Sequence, residues 1–247
     1  MRCFVVTHKP ACTIRSSLYS VIAVGGAAVP DAEFRDDVGD NIAARNPSYC
    51  ELTATYWIWK NSREDAVGLC HYRRYFNLLP TTAFHVPVLT LSSRDETAAK
   101  LLSHPGQAVA MQRLLEQYDI IVPRAAFHPR SVGDDYVRNH GEAEWDEFVR
   151  QLDLLYGADT HSIRDENRFY ACNMLACRKE VFDRYATQLF QVIDPVYAAI
   201  GPRPDEVGAR FQPGRYPGYL GERFMSAFLN ANRLKYYEAQ VVFVPDA

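Results

Sequence analysis

Short apolar runs alternate along this chain with longer stretches of helical spacing. Residues 2–6 predict a β-strand ending in the polar group Thr7-His8-Lys9-Pro10, and residues 18–24 predict a second strand, closed by Gly25-Gly26. The acidic, Asn-rich segment 31–46 reads as a loop. From Pro47 or Ser48 onward, Tyr49, Leu52, Thr53, Tyr56, Trp57 and Trp59 recur with a period of about 3.6, which predicts an amphipathic helix stopping near Asn61-Ser62. The apolar run at 66–70 predicts an interior strand. Helix feeding strand is the grammar of a mainly parallel sheet. Residues 78–91 predict an excursion. A helix follows from about Asp95 to Gln117, interrupted at His104-Pro105-Gly106, and then a strand at 118–123. Beyond a loop at 124–135, the pattern predicts helix at 135–156, strand at 171–177 and helix at 180–200. A loop at 202–217, a helix at 219–232 and a strand at 240–244 complete the chain. No repeat, low-complexity segment or long linker divides it, so it reads as one α/β domain with a mostly parallel central sheet.

Composition narrows the class. The 247 residues are ample for a real core, and 48% hydrophobic with 13% aromatic content excludes wholesale disorder. A net charge of −3 gives no global basic field for nucleic acid, so a polyanionic ligand must be met by a local cluster. The cysteines Cys3, Cys12, Cys50, Cys70, Cys172 and Cys177 show neither CxxC pairs nor zinc-ligand spacing. Cys3, Cys70 and Cys172 sit in apolar, strand-like surroundings, which suits small buried thiols in a reducing cytoplasm. No window approaches the roughly 18 apolar residues of a membrane span, and the CFVV run is too short for a signal peptide. A soluble, cytoplasmic protein is expected, with room for peripheral association at the inner face of the membrane.

Three groups could carry chemistry. The first is the acidic loop Asp36-Asp37-Val38-Gly39-Asp40-Asn41-Ile42, with Asn46 and Glu51 after it. Its carboxylates and amides suit ribose hydroxyls and base edges, or else form an ordinary acidic turn. The second is His71-Tyr72-Arg73-Arg74, directly after the 66–70 strand. Ligands of open α/β sheets bind outside the carboxyl ends of strands, and Arg presents a planar fork of donors to phosphate. An edge strand meeting solvent would explain the same residues. The third is Arg215-Tyr216-Pro217-Gly218-Tyr219-Leu220-Gly221-Glu222-Arg223-Phe224. Glu222 reads as a first-turn carboxylate favoured by the helix dipole, or as a general base lifted into a cleft.

These residues also carry a resemblance. Thr7-His8-Lys9, Gly39-Asp40-Asn41-Ile42, the block from Asn46 to Phe76, Asn173-Met174 and Gly218 to Arg223 resemble a domain family of formerly unknown function encoded among bacterial capsule and O-antigen genes. That family is similar to the galactofuranosyltransferase domain of a bifunctional O-antigen polymerase. The resemblance spans nearly the whole chain and departs at 78–115 and 157–168. It implies a GT-A-like, single Rossmann-type domain, with residues 1–123 as the nucleotide-sugar-binding half and 124–247 as the acceptor-binding and catalytic half. It implies a hexosyltransferase, taking a UDP-sugar (galactofuranose or galactose favoured) to a growing capsular or O-antigen glycan, lipid-linked or free. The strand end where GT-A enzymes carry Asp-x-Asp holds His71-Tyr72-Arg73 here, so no metal or other cofactor is expected. By the order of parts, Glu222 is then the base of an inverting transfer. Thr7, His8, Lys9, Asp36, Asp40, Asn41, His71, Tyr72, Arg73 and Arg74 would hold the donor, and Asp135, Tyr136, His140 and Arg223 the acceptor. Asp134 and Asp135 are the next candidates for the base.

Two other readings fit the residues. One is a metal-dependent nucleotide-sugar transferase or hydrolase using Asp36, Asp37 and Asp40. The other is a catalytically silent carbohydrate-binding subunit with Trp57 or Trp59 as a stacking platform, although their helical period argues for the core.

Overall fold

The computed structural model of the chain describes residues 1–11, 13–83, 85–92, 96–158 and 162–245. Cys12, the expected helix start at Asp95 and part of the 157–168 segment lie outside the described residues. In chain order the N-terminal half contains β1 (Arg2–Thr7), β2 (Tyr19–Ala23), β3 (Phe34–Arg35), α1 (Asn46–Tyr49), α2 (Leu52–Asn61), β4 (Ala66–His71), β5 (Arg74–Asn77), β6 (Val88–Thr90), α3 (Glu96–Leu102), α4 (Gly106–Gln117) and β7 (Ile120–Pro123). The rest comprises β8 (Ala126–Phe127), α5 (Val132–Asn139), α6 (Glu142–Tyr156), β9 (Arg168–Phe169), β10 (Leu175–Arg178), α7 (Lys179–Ile200), α8 (Tyr216–Asn232) and β11 (Tyr236–Phe243).

One sheet runs in the order β10-β7-β11-β5-β4-β1-β2-β3, with β6 on β11 and a further pairing of β10 with β4. The expected parallel arrangement holds across β3, β2, β1 and β4 and again where β11 meets β6 and β7. Antiparallel pairings of β4 with β5 and β10, of β11 with β5, and of β10 with β7 knit the remainder, so the sheet is mixed. The strand at 66–70 is interior, flanked by β1 on one side and by β5 and β10 on the other.

Alternation along the strands explains the layers, because successive side chains of a strand point to opposite faces. Phe4, Val6, Val67, Leu69, Ile120 and Val122 join one apolar core with residues of α2, α6, α7 and α8. Cys3, Val5, Cys70 and Ile121 join another with Leu102 of α3 and with Met111 and Leu115 of α4. No helix among the described residues is long and apolar enough to cross a membrane.

Four expectations change in ways that matter for the site. The helix expected across 47–60 is broken. Asn46 begins a single turn whose Pro47 suits a helix start, and the chain reverses at Cys50 (φ 51°, ψ −130°) before α2. The stretch 71–74 is a tight β4–β5 turn in which His71 pairs with Arg74 and Tyr72-Arg73 form the tip. Residues 171–173 form a 3-10 turn containing Cys172 at φ 74°, so Cys172 is not a strand residue. Finally, α8 begins at Tyr216, placing Glu222 in its second turn and removing the first-turn dipole explanation for that carboxylate.

Candidate active site

The carboxyl ends of β1 and β4 lie side by side, Val6 facing His71 in parallel register. Above them three chain reversals and the start of α8 enclose a pocket of about 200 Å³. Thr7 and His8 come from the end of β1, His71 and Arg73 from the β4–β5 turn, Cys50 and Glu51 from the α1–α2 break, and Arg215, Tyr219 and Glu222 from α8 and its approach.

Local sequence explains how these parts meet. Asn46 ties the α1–α2 break together, its Nδ2 donating to the Cys50 carbonyl at 2.8 Å and to Thr53 Oγ1 at 3.0 Å. Gly218 and Gly221, three apart on one face of α8, permit a close approach. A Cβ on Gly218 would stand 3.1 Å from Cys50 Sγ, and one on Gly221 would stand 2.9 Å from Asn173 Oδ1 and 3.0 Å from Leu52 Cδ2. Asn173 completes the joint by donating to Glu51 Oε1 at 3.2 Å and to the Gly218 carbonyl at 3.1 Å. Cys50, Cys172 and Asn173 all take positive φ, at 51°, 74° and 49°, and all adjoin this pocket. Such conformations cost of order 1–3 kcal/mol each and persist where the surroundings impose them, as they do at functional sites.

Glu222 is the centre of the arrangement. Its Oε1 accepts from the Cys172 amide at 2.6 Å, and its Oε2 pairs with Arg223 Nη1 at 3.1 Å. Burial pushes its pKa up to about 7, against the pull of Arg223, and the charge of Glu51 pushes in the same direction. Burial likewise raises Glu51, against its hydrogen bonds and the charges of Arg215 and Arg74. Two carboxylates thus face a basic rim in one pocket. Cys50 and Cys172, each pushed up to about 12 by burial, are protonated thiols and not nucleophiles.

A second cavity of about 610 Å³ opens on the other side of Glu222, sharing Tyr219 and Glu222 with the first. Its wall is aromatic: His140 stacks on Tyr219 with centroids 4.3 Å apart and meets Phe211 at 5.0 Å. Burial holds His140 down at about 4, assisted by the Arg223 charge, so its imidazole is neutral at neutral pH. Arg223, only 5% exposed, lies between Glu222 and Asp135, bonding Asp135 Oδ2 at 3.2 Å and covering the Phe169 ring at 4.5 Å.

The remaining predicted residues are placed as follows. Lys9, Tyr72 and Arg74 flank the pocket without lining it. The Tyr72 ring is buried under His8 and His71 and carries Lys9 and Arg73 over it at 5.4 and 5.0 Å. Arg74 covers Phe243 at 5.1 Å. The acidic loop does not converge on the pocket: Asp36 is fully buried with Oδ1 accepting from the Gly25 amide at 2.9 Å, and Asp37 pairs with Arg35. Asp40 accepts from Tyr56 Oη, and Asn41 closes its own turn through the Gly39 carbonyl and the Ala43 amide. Three carboxylates held by three different partners do not fit a metal centre, and no cluster of three metal-ligating side chains occurs among the described residues. Tyr136 is fully buried in the core, so it cannot line an acceptor surface, whereas His140 and Asp135 do line the second cavity. Asp134 lies on the outer side of α5, away from Glu222. Trp57 is core, donating to the Val38 carbonyl, and Trp59 stacks on Phe190 under Lys60, so neither forms a free platform.

Glu51 and Arg215 stand at the margins of the first and third sequence groups with no site role of their own there, yet both line the pocket, and only the break at Cys50 turns Glu51 away from α2 and into it.

Comparison with solved structures finds the apo structure of WbbM, a bifunctional glycosyltransferase, at a TM-score of 0.85 and 28% identity. The match covers 100% of this chain and 45% of that one, so the chain spans less than half the length of that relative. The domain is accordingly GT-A-like in fold. No curated protein gives a significant match. Residues 2–233 match the model of a domain of unknown function, DUF4422, and the chain belongs to that family.

Proposed function

We propose that the chain is a glycosyltransferase which moves a hexose, with galactofuranose or galactose favoured, from a UDP-sugar to a growing bacterial surface glycan with inversion. The observation that carries this reading is the position of Glu222, a carboxylate with a pKa of about 7, on the shared wall of a basic pocket and an aromatic one. A general base is most effective when its pKa lies near the working pH. Glu222 takes the proton of the acceptor hydroxyl as that oxygen attacks the anomeric carbon. The proton goes to Glu222 and the bond electrons leave with the diphosphate.

The basic side supplies what a departing diphosphate needs. Arg73, Arg215 and His71 line it, and charge-assisted contacts fixed before the reaction stabilise developing charge without reorganisation. At about 200 Å³ the pocket is below the usual range of 300–1,000 Å³ for whole ligands, so it takes only part of the donor. The aromatic side, His140 on Tyr219, offers ring faces to the acceptor sugar. Glycosyltransferase similarity over the whole chain supports the same class.

Incubating the protein with a panel of nucleotide sugars and recording thermal unfolding tests this reading. A ligand that binds only the native state raises Tm, by about 2.7 kcal/mol of stabilisation at 100 times its Kd. A rise with UDP and one UDP-hexose, and sugar transfer with that donor, is expected. No rise with any nucleotide sugar contradicts it.

A further inference from the structure

The aromatic cavity beside Glu222 is not the end of the concave surface. It shares His128, Asp135 and Arg138 with another cavity of about 610 Å³ along α5, and that one shares Trp145, Asp146 and Arg164 with a third of about 340 Å³ along α6. Four cavities therefore form a chain of shared walls, running from the basic pocket through Glu222 and out along the two helices. Transfer to a single sugar uses only the first two. The outer two are unassigned, and the larger alone falls in the range of a complete small-molecule site.

The chemistry of the outer walls limits what they take. Guanidinium groups of Arg138 and Arg164 and the carboxylates of Asp134 and Asp146 line this wall together, Arg164 being paired with Asp153 at 2.6 Å. A polyanion would be repelled by the acids and a polycation by the arginines. A chain of hydroxyl groups suits both, because each hydroxyl accepts from a guanidinium and donates to a carboxylate. The Trp145 edge adds apolar contact of the kind sugar ring faces seek.

We infer that this groove holds the acceptor as an oligosaccharide, several hexose residues lying along α5 and α6 behind the one that meets Glu222. The inference rests on the transferase reading and adds to it where the acceptor lies: several sugars of the chain are bound along α5 and α6. A longer acceptor gains affinity from contacts that a monosaccharide cannot reach.

The test is a calorimetric titration of the full chain, in the presence of UDP, with galactose and with galacto-oligosaccharides of increasing length. Hydrogen exchange is followed on the same samples. Kd is expected to fall by about tenfold or more from galactose to the tetrasaccharide, the scale of one or two hydrogen bonds to charged groups. Protection should spread from α5 into α6 as the ligand lengthens. The double substitution Asp146→Ala with Arg164→Ala changes two exposed side chains outside the catalytic pocket, and it should abolish the gain with length while UDP affinity stays unchanged. Length-independent binding, a length gain untouched by the double variant, or protection confined to other elements overturns the inference. If UDP binds and no oligosaccharide does, the glycan groove falls and the transferase reading stands. If UDP itself does not bind, the transferase reading falls.

Discussion

Glu222 keeps a proton to a higher pH in the folded protein than in the unfolded chain, where a glutamate titrates near 4.5. Between those values the native state binds more protons, so this group's contribution to stability falls as pH rises from about 5 to 8. Glutamine mimics the protonated form and does not titrate. The Tm of Glu222→Gln should match wild type near pH 5 and exceed it increasingly toward pH 8, on the order of 3 kcal/mol in stability at full ionisation. His140 titrates in the opposite sense, its lowered pKa weakening the fold as pH falls below about 6.5, but it is common to both proteins and cancels in the difference. A pH-independent difference in Tm would mean that Glu222 is not shifted. Arg73 offers a separate check at the same scale. Its Nε has no hydrogen-bond partner among the described residues, and it lines the basic pocket. Arg73→Ala should weaken UDP binding about 10- to 150-fold, the loss of one charge-assisted contact of 1.5–3 kcal/mol, and EDTA should leave wild-type binding intact. Binding that needs a divalent ion and ignores Arg73 would contradict the proposed neutralisation of the diphosphate by side chains.

The elements were largely legible from the spacing of apolar residues, and the exceptions share a cause. β1, β2, β4, β7, α4 and α7 follow runs and periods that burial on one or both faces dictates. The break at Cys50, the 3-10 turn at 171–173 and the early start of α8 do not, because each is imposed by packing among distant segments. Cys50 and Cys172 adopt backbone angles that their own side chains disfavour, so no local propensity announces them. The β4–β5 turn is not legible as a turn because its basic residues read more strongly as a ligand site than as a hairpin. Gly68 provides the element-scale test. It sits in β4 with Cys3 of β1 and Ala176 of β10 opposite on either side. A Cβ there would stand 2.3 Å from Cys3 Sγ, which packs on Met111, and 3.3 Å from the Ala176 methyl group. Strand propensity alone favours alanine over glycine by up to about 1 kcal/mol, whereas overpacking costs about 1–3 kcal/mol or more. Gly68→Ala should therefore destabilise the protein, by about 1–2 kcal/mol net in chemical denaturation. A gain in stability would show that the sheet relaxes around the added methyl group.

At the scale of the molecule, Glu222 divides a basic compartment built on the ends of β1 and β4 from an aromatic one built on α5 and α8. The first was legible in His71-Tyr72-Arg73-Arg74, since strand ends of an α/β sheet are where ligands bind. The second was half legible. Asp135, His140 and Arg223 do gather around it, but Tyr136 belongs to the core; Glu51 and Arg215, at the margins of two sequence groups, become parts of the first compartment only through the folding of distant segments. This division requires that a single carboxylate serve both sides. Glu222→Gln preserves size and the acceptor for the Cys172 amide while removing the ability to take a proton. Its measured turnover, with a UDP-hexose that stabilises the wild type and an oligosaccharide acceptor, is the most direct test. Turnover reduced by about 10²–10⁴-fold with donor affinity nearly unchanged is the expected result for a lost general base. Near-normal turnover in a protein that binds donor equally well would contradict the assignment of Glu222 as the base.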